Sequence, residues 1–584
     1  MNMASEGICK IKTEYIIPEQ KRELNLEHVS EKDKNSIDNS TNGEESLEPP
    51  SKRQKFSKNK LKGQNKSRGP TFRLDKSKEL CNSLINISKG DEIPKCDKNN
   101  CQFLHDVEKY LEIKPKDIDN SCYNFQTSGK CIRGLSCRFG SDHIAEGRNK
   151  VEQQKYLDYE AKGPHTRNIL QHDIQVALRK RTYDFNLAEK CVKYVDSLRK
   201  NNKDEGEETD KNSIGCVTDE DLVSLLQREK KKIDWKDKLV LSPLTTVGNL
   251  PFRRICKQFG ADVTCGEMAM CSSLLQGMRQ EWALLKRHES EDIFGVQLCA
   301  NNPYLLAKCG QLLQKEIDVD FIDLNMGCPI ELVYKTGAGC GLMRRARVLE
   351  SCVKSMSTIL DIPFTVKMRM GVYNNENIAH TLAPKLRDYG ASLLTIHGRS
   401  REQRYTRLAN WEYIDKVAKA ADPLPVLGNG DVLSYEDYVK AKETAPHVAG
   451  VMIGRGALIK PWIFTEIKEQ KLWDISSSER FDIIKKYANY GLEHWGSDNT
   501  GVENTRRFLL EWLSFLYRYI PVGLLETPPQ KINERPPHFK GRDELETLMA
   551  SPAASDWIKI SEMLLGKVPE NFQFLPKHKA NSYG

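Results

Sequence analysis

The spacing of apolar residues predicts alternating strands and helices over 236–470. Short apolar runs rich in β-branched residues recur there, separated by longer segments with helical spacing. Such alternation favours right-handed βαβ units, and eight units favour an α/β fold of the (β/α)8 TIM barrel type. An open doubly wound sheet is the weaker alternative, because no GxGxxG motif follows the first strand. The predicted strands are 239–243, 262–268, 293–298, 319–325, 363–369, 393–399, 425–431 and 450–456.

The chain on either side of this region has a different pattern. Many charges with helical spacing predict a charged helical linker over 146–235, and amphipathic stretches predict a separate helical domain over 471–575. Residues 1–78 have too few apolar residues to form a core, so we predict a disordered tail. The tail is first acidic, and then 51–78 has eleven basic residues against one acidic residue. That basic segment is either a solvated linker or an arm that attracts phosphates and doubles as a nuclear import signal.

Composition argues against a membrane protein and for a reducing compartment. No run of about 18 apolar residues is present, and the N-terminus lacks the pattern of a secretory signal. We therefore expect the seventeen cysteines to be reduced, in cytoplasm and nucleus, and clustered cysteines to bind metal or serve catalysis. The net charge of +8 is mild for 584 residues, so its uneven distribution is more informative. No feature of the sequence indicates an obligate protein partner.

Two successive sets of three cysteines and one histidine fall within 79–145. Three thiolates and one imidazole complete a tetrahedral structural site for Zn²⁺, so we predict two CCCH zinc fingers. The second set has the spacing Cx8Cx5Cx5H, whereas the first has Cx14Cx4Cx3H and departs from the commoner pattern. The predicted ligands are Cys81, Cys96, Cys101 and His105 in the first set, and Cys122, Cys131, Cys137 and His143 in the second.

Aromatic and basic residues beside these sets have two interpretations. RNA-binding fingers use such side chains to stack on unpaired bases. The alternative is that they pack around the zinc, because so small a module has little other core. The residues concerned are Phe103, Tyr123, Phe125, Arg138 and Phe139.

The loops after the seventh and eighth predicted strands are rich in glycine. Loops at these places in a TIM barrel commonly bind a phosphate through backbone N–H groups. Gly430 and Gly456 would let the backbone approach the phosphate closely, and Arg455 could pair with its charge. The sequence therefore favours a cofactor that carries a phosphate.

Polar residues at other strand ends suggest which cofactor this is. Gln297 offers a donor and an acceptor to the edge of a flavin ring, and Lys367 with His397 could stabilise the negative charge that the ring gains on reduction. These residues fit a flavin mononucleotide. The alternative for Lys367 is a Schiff base, since a lysine on a barrel strand also suits an aldolase.

The motifs at these strand ends resemble those of the dihydrouridine synthase family. The string DLNMGCPIELVYKTGAG is followed by VKMRMG, TIHGRSREQRYT, GNGD and GRGA, and the similarity extends over 236–575. The two fingers and the segments NERPP and LPKHKAN resemble the eukaryotic branch that modifies position 47 in the variable loop of tRNA.

The resemblance implies a role for each matching residue. Cys328 would be the proton donor, and Asn325 and Arg399 would contact the target uracil. The flavin ring and ribityl chain would be bound by Pro243, Leu244, Thr245, Gln297, Lys367 and His397, and the phosphate end by Asn429, Gly430, Asp431, Gly454 and Arg455.

The implied activity is FMN-dependent, NAD(P)H-driven reduction of the uracil 5,6 double bond in tRNA, with mRNA as a second candidate substrate. A hydride would pass from flavin N5 to C6, and Cys328 would protonate C5, because a thiol with a pKa of about 8.5 is mostly protonated near neutral pH. Two alternatives stay open. A flavin barrel acting on a free pyrimidine would not need fingers and a basic arm. A non-catalytic RNA-binding protein would not need Cys328, Lys367 and His397 together.

Overall fold

The predicted barrel is present in the computed structural model, which describes residues 7–17, 75–204, 230–570 and 572–577. Eight parallel strands form a closed circle, because each strand pairs with the next one along the chain and the eighth pairs with the first. The TIM barrel prediction is therefore confirmed. In chain order the strands are β1 (Leu239–Leu241), β2 (Val263–Cys265), β3 (Ile293–Cys299), β4 (Phe321–Met326), β5 (Phe364–Arg369), β6 (Leu393–His397), β7 (Val426–Asn429) and β8 (Gly450–Ile453).

Five strands end earlier than the sequence predicts, and among them β1 and β2 stop at Leu241 and Cys265, two and three residues short. β6, β7 and β8 stop at His397, Asn429 and Ile453, two or three residues short of their predicted ends. The residues beyond these points leave the sheet. The side chains of Arg399 and Arg455 both pair with Asp431 across the mouth of the barrel.

Helices cover the outside of the barrel with their apolar faces inward. The helix Trp411–Ala421 is an example: it buries Ile414, Val417 and Ala421, which recur at helical spacing. The Asn410 side chain caps this helix by accepting from the Tyr413 N–H at 2.8 Å. The other helices of this layer are Leu250–Gln258, Pro303–Glu316, Ala346–Ile359, Ala379–Asp388, Tyr435–Thr444 and Ile463–Glu469, with short helices at Cys271–Leu274, Arg279–Trp282, Glu331–Lys335 and Arg455–Ile459.

The segment interpreted as a linker packs closely on the barrel. It contains the helices Gln153–Ala161, His172–Lys180 and Asn186–Asp204. Cys191 and Val192 of the third helix are fully buried in the same core as the barrel helices. The described part of this segment therefore belongs to the outer helical layer, whereas 205–229 lies outside the described residues.

Four helices follow the barrel, as predicted, at Ser477–Trp495, Asn499–Leu516, Glu544–Ala550 and Ala554–Leu565. They share a core with the barrel: the Trp512 indole donates to the Leu458 carbonyl at 3.0 Å, and the Asn249 amide donates to the Tyr487 hydroxyl at 3.2 Å. Within the described ranges, no helix has both the length and the apolar character needed to cross a membrane.

Residues 7–17 differ from the disorder predicted for 1–78. This segment lies along 523–540 and exchanges backbone hydrogen bonds with it, for example from Cys9 to Arg535 at 2.8 Å and from Lys12 to Leu524 at 3.0 Å. Cys9 and Ile11 are buried in a small apolar cluster with Leu524. A few apolar residues are enough here because the partner surface is already folded. The basic arm at 51–74 lies outside the described residues.

Candidate active site

A cavity opens where the barrel strands end, and most of the predicted cofactor residues line it. Thr245 lies instead on an exposed part of the loop after β1, and Gln297 is almost completely buried within β3. Four further lining residues are Gly327, Arg369, Arg399 and Tyr405. The predicted residues in the lining are Pro243, Leu244, Lys367, His397, Asn429, Gly430, Asp431, Gly454 and Arg455.

The wall formed by β5 and β6 suits an anionic ring with polar edges. Burial, with repulsion from Arg369, lowers the pKa of Lys367 to about 8, and among the described residues its ammonium group has no hydrogen-bond partner. Burial also lowers the pKa of His397 well below its usual range, so the imidazole is neutral at pH 7 and offers one donor and one acceptor. A buried ammonium group that faces a cavity without a partner indicates a ligand there, and these groups fit the predicted flavin.

A row of hydrogen-bonded side chains crosses β3, β4 and β5. The Asp323 carboxylate accepts from the Thr365 hydroxyl at 2.6 Å and from Gln297 Nε2 at 2.7 Å. Gln297 Oε1 then accepts from Asn325 Nδ2 at 2.7 Å. A carboxylate can only accept, so Asp323 fixes the direction of the Gln297 amide, which in turn fixes that of Asn325.

Asn325 holds the loop that carries Cys328. Its Oδ1 accepts from the backbone N–H groups of Gly327 at 3.1 Å and Cys328 at 2.8 Å. Burial raises the pKa of the Cys328 thiol, which keeps it protonated at neutral pH, as a proton donor requires. The structure thus gives Asn325 a positioning role, and its predicted contact with uracil stays a prediction.

The loops after β6, β7 and β8 meet at a carboxylate. Asp431 pairs with Arg399 at 2.6 Å and with Arg455 at 2.6 Å, and the Tyr405 ring lies over the Arg455 guanidinium at 3.9 Å. Arg399 is fully buried and also donates to the Arg407 carbonyl at 2.9 Å. Asp431 therefore orients both Arg399, which we predicted to contact the uracil, and Arg455, which we predicted to bind the phosphate.

Two glycines that we assigned to phosphate binding line the cavity and are also required by packing. A Cβ on Gly430, where φ is +146°, would lie 2.4 Å from the Ala409 Cβ, and a Cβ on Gly456 would lie 2.1 Å from the Val432 carbonyl oxygen. Neither contact is sterically possible. At Gly454, by contrast, the nearest atoms are 3.6 Å away on Ser242, which also lines the cavity, so this glycine fits the predicted phosphate end.

The second predicted ligand set forms a buried cluster. One ligand atom from each of its four residues lies within 4.8 Å of the others. The Cys122 and Cys137 sulphurs are 3.7 Å apart, near the roughly 3.8 Å edge of a tetrahedron with Zn–S bonds of about 2.3 Å. His143 Nε2 is buried without a hydrogen-bond partner, while its Nδ1 lies 3.0 Å from Asn149 Oδ1. An imidazole held at Nδ1 presents its Nε2 to a metal, so this donor set fits zinc.

The first set is also brought together, but it is more exposed. Its four ligand atoms lie within 4.8 Å of one another, with Cys81 buried and His105 exposed. The Cys81 sulphur is 3.6 Å from that of Cys96 and 3.7 Å from that of Cys101. The unusual spacing in the sequence therefore does not prevent a tetrahedral arrangement.

The residues beside the second cluster pack rather than face solvent. Phe125 and Phe139 are buried in the core shared with the C-terminal helices. Arg138 donates its backbone N–H to the Ser497 carbonyl at 2.8 Å and its Nη1 to Asn499 at 2.6 Å. Of the two interpretations of these three residues, packing is the correct one. Tyr123 and Phe103 are half-buried.

Comparison with known proteins places this site in a family. Residues 240–514 match the family model described as dihydrouridine synthase (Dus). The chain is 52% identical to a Xenopus laevis protein named tRNA-dihydrouridine(47) synthase [NAD(P)(+)]-like, over 99% of this chain and 96% of that one. The human protein of that name is 52% identical, over 92% of this chain and 86% of the other. A Coprinopsis cinerea protein named tRNA-dihydrouridine(47) synthase [NAD(P)(+)] is 38% identical, over 100% of this chain and 99% of the other.

The chain belongs to the dihydrouridine synthase family. It is therefore an enzyme, an oxidoreductase of a family that depends on flavin and NAD(P)H.

Sequence analysis of this dihydrouridine synthase did not identify two residues of the site. Asp323 orients Gln297, and Tyr405 covers Arg455. A signal for Asp323 was present, because it stands two positions before Asn325 on a buried strand, where a charged residue needs partners. Tyr405 gave no such signal, because it lies in a loop.

Proposed function

We propose that this dihydrouridine synthase reduces the 5,6 double bond of a uracil in tRNA, at position 47 of the variable loop, with bound FMN and with NADPH or NADH as the reductant. The observation that carries the proposal is a buried thiol with a raised pKa, Cys328, which Asn325 holds directly after Gly327, a residue that lines the same cavity as Lys367. The proposal is supported by the names of the Xenopus and human relatives, which contain tRNA-dihydrouridine(47) synthase and NAD(P)(+).

FMN, when bound, supplies the hydride. The residues that would hold it are those of the cavity wall: Lys367 and His397 at the polar edge of the ring, and Gly454 with Arg455 at the phosphate. Asn429 donates to the Met452 carbonyl at 2.7 Å and so ties β7 to β8 beneath the phosphate end.

The step that the chain itself performs is a proton transfer from Cys328 to C5 of the uracil. The raised pKa of the thiol keeps the proton in place until the substrate arrives. Arg369 and Lys367 act in the opposite direction on the same pKa, and they stabilise the thiolate that the transfer leaves behind. A proton from solvent then restores the thiol.

The substrate must present its base outside the RNA stack, because the residues that line the cavity lie at the ends of the barrel strands and cannot reach a stacked base. We propose that Asn325 and Arg399 contact the uracil, that zinc holds both fingers, and that the helical domain and the basic arm bind the RNA backbone. Uridines in mRNA loops are a second substrate class, and the reaction takes place in cytoplasm and nucleus.

The direct test is to incubate the purified, FMN-loaded enzyme with NADPH and an unmodified tRNA transcript, and to map dihydrouridine by primer extension after alkaline cleavage. We expect a stop at position 47, and none in a transcript with cytidine there or in a reaction without NADPH. Product at another position only would refute the positional assignment. NADPH oxidation driven by free uridine or orotate, but not by tRNA, would overturn the proposed function.

A further inference from the structure

Three loops on the mouth of the barrel carry a cluster of stacked tyrosines and arginines beside Cys328. They follow β4, β5 and β6 and comprise 327–345, 370–378 and 398–409. The Arg401 guanidinium lies 3.9 Å from the centre of the Tyr334 ring, and that of Arg344 lies 5.1 Å from the centre of the Tyr373 ring. Arg344 also donates to the Tyr373 hydroxyl at 2.6 Å. We call these four residues the rim cluster.

The rim cluster is fixed to the site by the loops that carry it. Tyr334 lies in the short helix Glu331–Lys335, which begins just after Cys328. The Cys328 carbonyl accepts from the Cys340 N–H at 3.2 Å, and the Arg401 N–H donates to the Gly371 carbonyl at 3.0 Å. The three loops thus interlock, and the cluster lies on the same edge of the barrel as the cavity.

The charge and exposure of these loops favour a nucleic acid as their partner. The loops contain seven Lys and Arg residues against three Glu residues. Tyr373 is 36% exposed, and Ile330 and Leu332, in the loop after β4, are 49% and 41% exposed. Planar aromatic and guanidinium groups with surplus positive charge suit bases and phosphates of a single RNA strand.

The chemistry of the reaction gives such a surface a purpose. When one nucleotide leaves its stack, each neighbouring base loses a stacking partner on one face. A rigid aromatic surface next to the cavity can replace that partner and so lower the free energy needed to unstack the target. We infer that the rim cluster, through Tyr373, Tyr334, Arg344 and Arg401, stacks on the nucleotides that flank the target uridine. This inference rests on the proposed function and extends it.

The alternative is that the four residues only brace the loops, since Arg401 also pairs with Glu331. The molecule offers a matched control for this alternative. Lys354 lies 5.3 Å from the centre of the Tyr389 ring, in a cation–aromatic pair on the outer helices, next to the start of β6 and away from the mouth.

The test measures tRNA binding and turnover for Tyr373→Ala, Arg344→Ala, Tyr373→Phe and the control Tyr389→Ala, in the FMN-loaded enzyme. We expect Tyr373→Ala and Arg344→Ala each to raise the KM and Kd for tRNA about tenfold, with kcat within about twofold of wild type. Tyr373→Phe keeps the ring and should behave like wild type. Arg344→Ala should also reduce the slope of log Kd against log salt by about one, whereas Tyr373→Ala should leave it unchanged.

Heparin serves as a probe that has charge but no bases. Tyr373→Ala should bind heparin as wild type does, while Arg344→Ala should bind it less well. The inference would be overturned if both alanine variants kept the tRNA affinity of wild type, or if Tyr389→Ala lost as much tRNA affinity as they do. A fall in kcat with no change in tRNA affinity would also overturn it, and would indicate that the cluster only braces the Cys328 loop. Failure of the wild-type enzyme to form dihydrouridine would instead refute the proposed function. The binding measurements would then still test whether the rim cluster contacts tRNA.

Discussion

Cysteine has different roles in two regions of this molecule. At the barrel mouth, burial raises the pKa of Cys328, so the thiol keeps its proton. In the second zinc-finger cluster the thiols share protons unequally, because hydrogen bonds from Cys122 and Cys137 lower the pKa of Cys131, while burial raises the pKa of Cys137 well above its usual range. Both sites are buried, so burial alone does not decide the role. The neighbouring groups do: a single thiol near Arg369 and Lys367 carries a proton, and three thiols beside one imidazole form a metal site.

In both regions an asparagine side chain forms a hydrogen bond to a functional residue and fixes its orientation. Asn325 accepts from the Cys328 backbone N–H, and Asn149 lies in hydrogen-bond contact with the His143 ring. In both cases a side-chain amide with defined partners holds the functional residue in one orientation, so each site is organised before its ligand arrives.

Among single substitutions in these two regions, we expect Cys131→Ser to have the largest effect. Serine is a poor zinc ligand, and the loss of zinc would leave the buried His143 without the partner that its Nε2 requires. The free energy of unfolding should fall by on the order of 5 kcal/mol, because this cluster is part of the core that holds Phe125 and Phe139. Guanidinium unfolding and zinc content check this. Cys352→Ser, at a buried thiol outside both clusters, is the control, and an equal loss of stability there would contradict the prediction.

Cys328→Ala should abolish catalysis while sparing the fold, the reverse of the pattern expected for Cys131. Loss of a positioned general acid lowers the rate by about 10²- to 10⁴-fold. The measurement is single-turnover dihydrouridine formation with pre-reduced enzyme. Cys340→Ala, which removes a neighbouring buried thiol, should keep most of the activity. If Cys328→Ala retains its rate within about tenfold, or loses its flavin, the thiol is not the proton donor.

Features of the fold and of the two sites can be predicted from the sequence when they depend on short segments, and not when they depend on contacts between distant segments. The eight strands and both ligand sets are predictable, because apolar periodicity and the spacing of Cys and His are properties of short segments. The docking of Cys9 and Ile11 on residues 523–540 was not predictable, since nothing in 1–17 indicates a partner some 500 residues away. The pairing of Arg399 and Arg455 with Asp431 was also missed, because three separate loops meet there.

Asp323→Leu tests whether the row of hydrogen bonds holds the Cys328 loop. Without the carboxylate, the Gln297 amide can turn, and Asn325 loses its fixed orientation. We expect kcat to fall about tenfold, with the KM for tRNA unchanged and the FMN absorption bands shifted. Thr365→Val removes only one donor to the same carboxylate and should have a smaller effect. A change in the KM for tRNA without a change in kcat would contradict the positioning role.

Lys367 gives the barrel mouth a pH dependence of its own. Its pKa is lowered to about 8 by burial, so the ammonium is charged below this pH and becomes neutral as pH rises above it. FMN affinity of the apoprotein should therefore decrease severalfold between about pH 7.5 and 9.5, by about tenfold per unit at most. Quenching of flavin fluorescence measures this. Lys367→Arg stays charged over the whole range and should show a flat profile; a decline of equal size in that variant would assign the titration to another group.

Cys101→Ser in the first cluster should have the smallest effect, although the residue type and the predicted chemistry match those of Cys131. Cys101 is half-buried and its partner His105 is exposed, and the cluster borders a small apolar group of its own rather than the core of the barrel. The free energy lost with its zinc is therefore that of a local module, and we expect global unfolding to change by about 1 kcal/mol or less. Hydrogen exchange should rise over 80–111 and stay unchanged in the C-terminal helices. We expect Cys131→Ser, by contrast, to speed amide hydrogen exchange in the C-terminal helices. If Cys101→Ser does so too, both clusters support the same core. The difference in burial between the clusters would then not predict how much each contributes to stability.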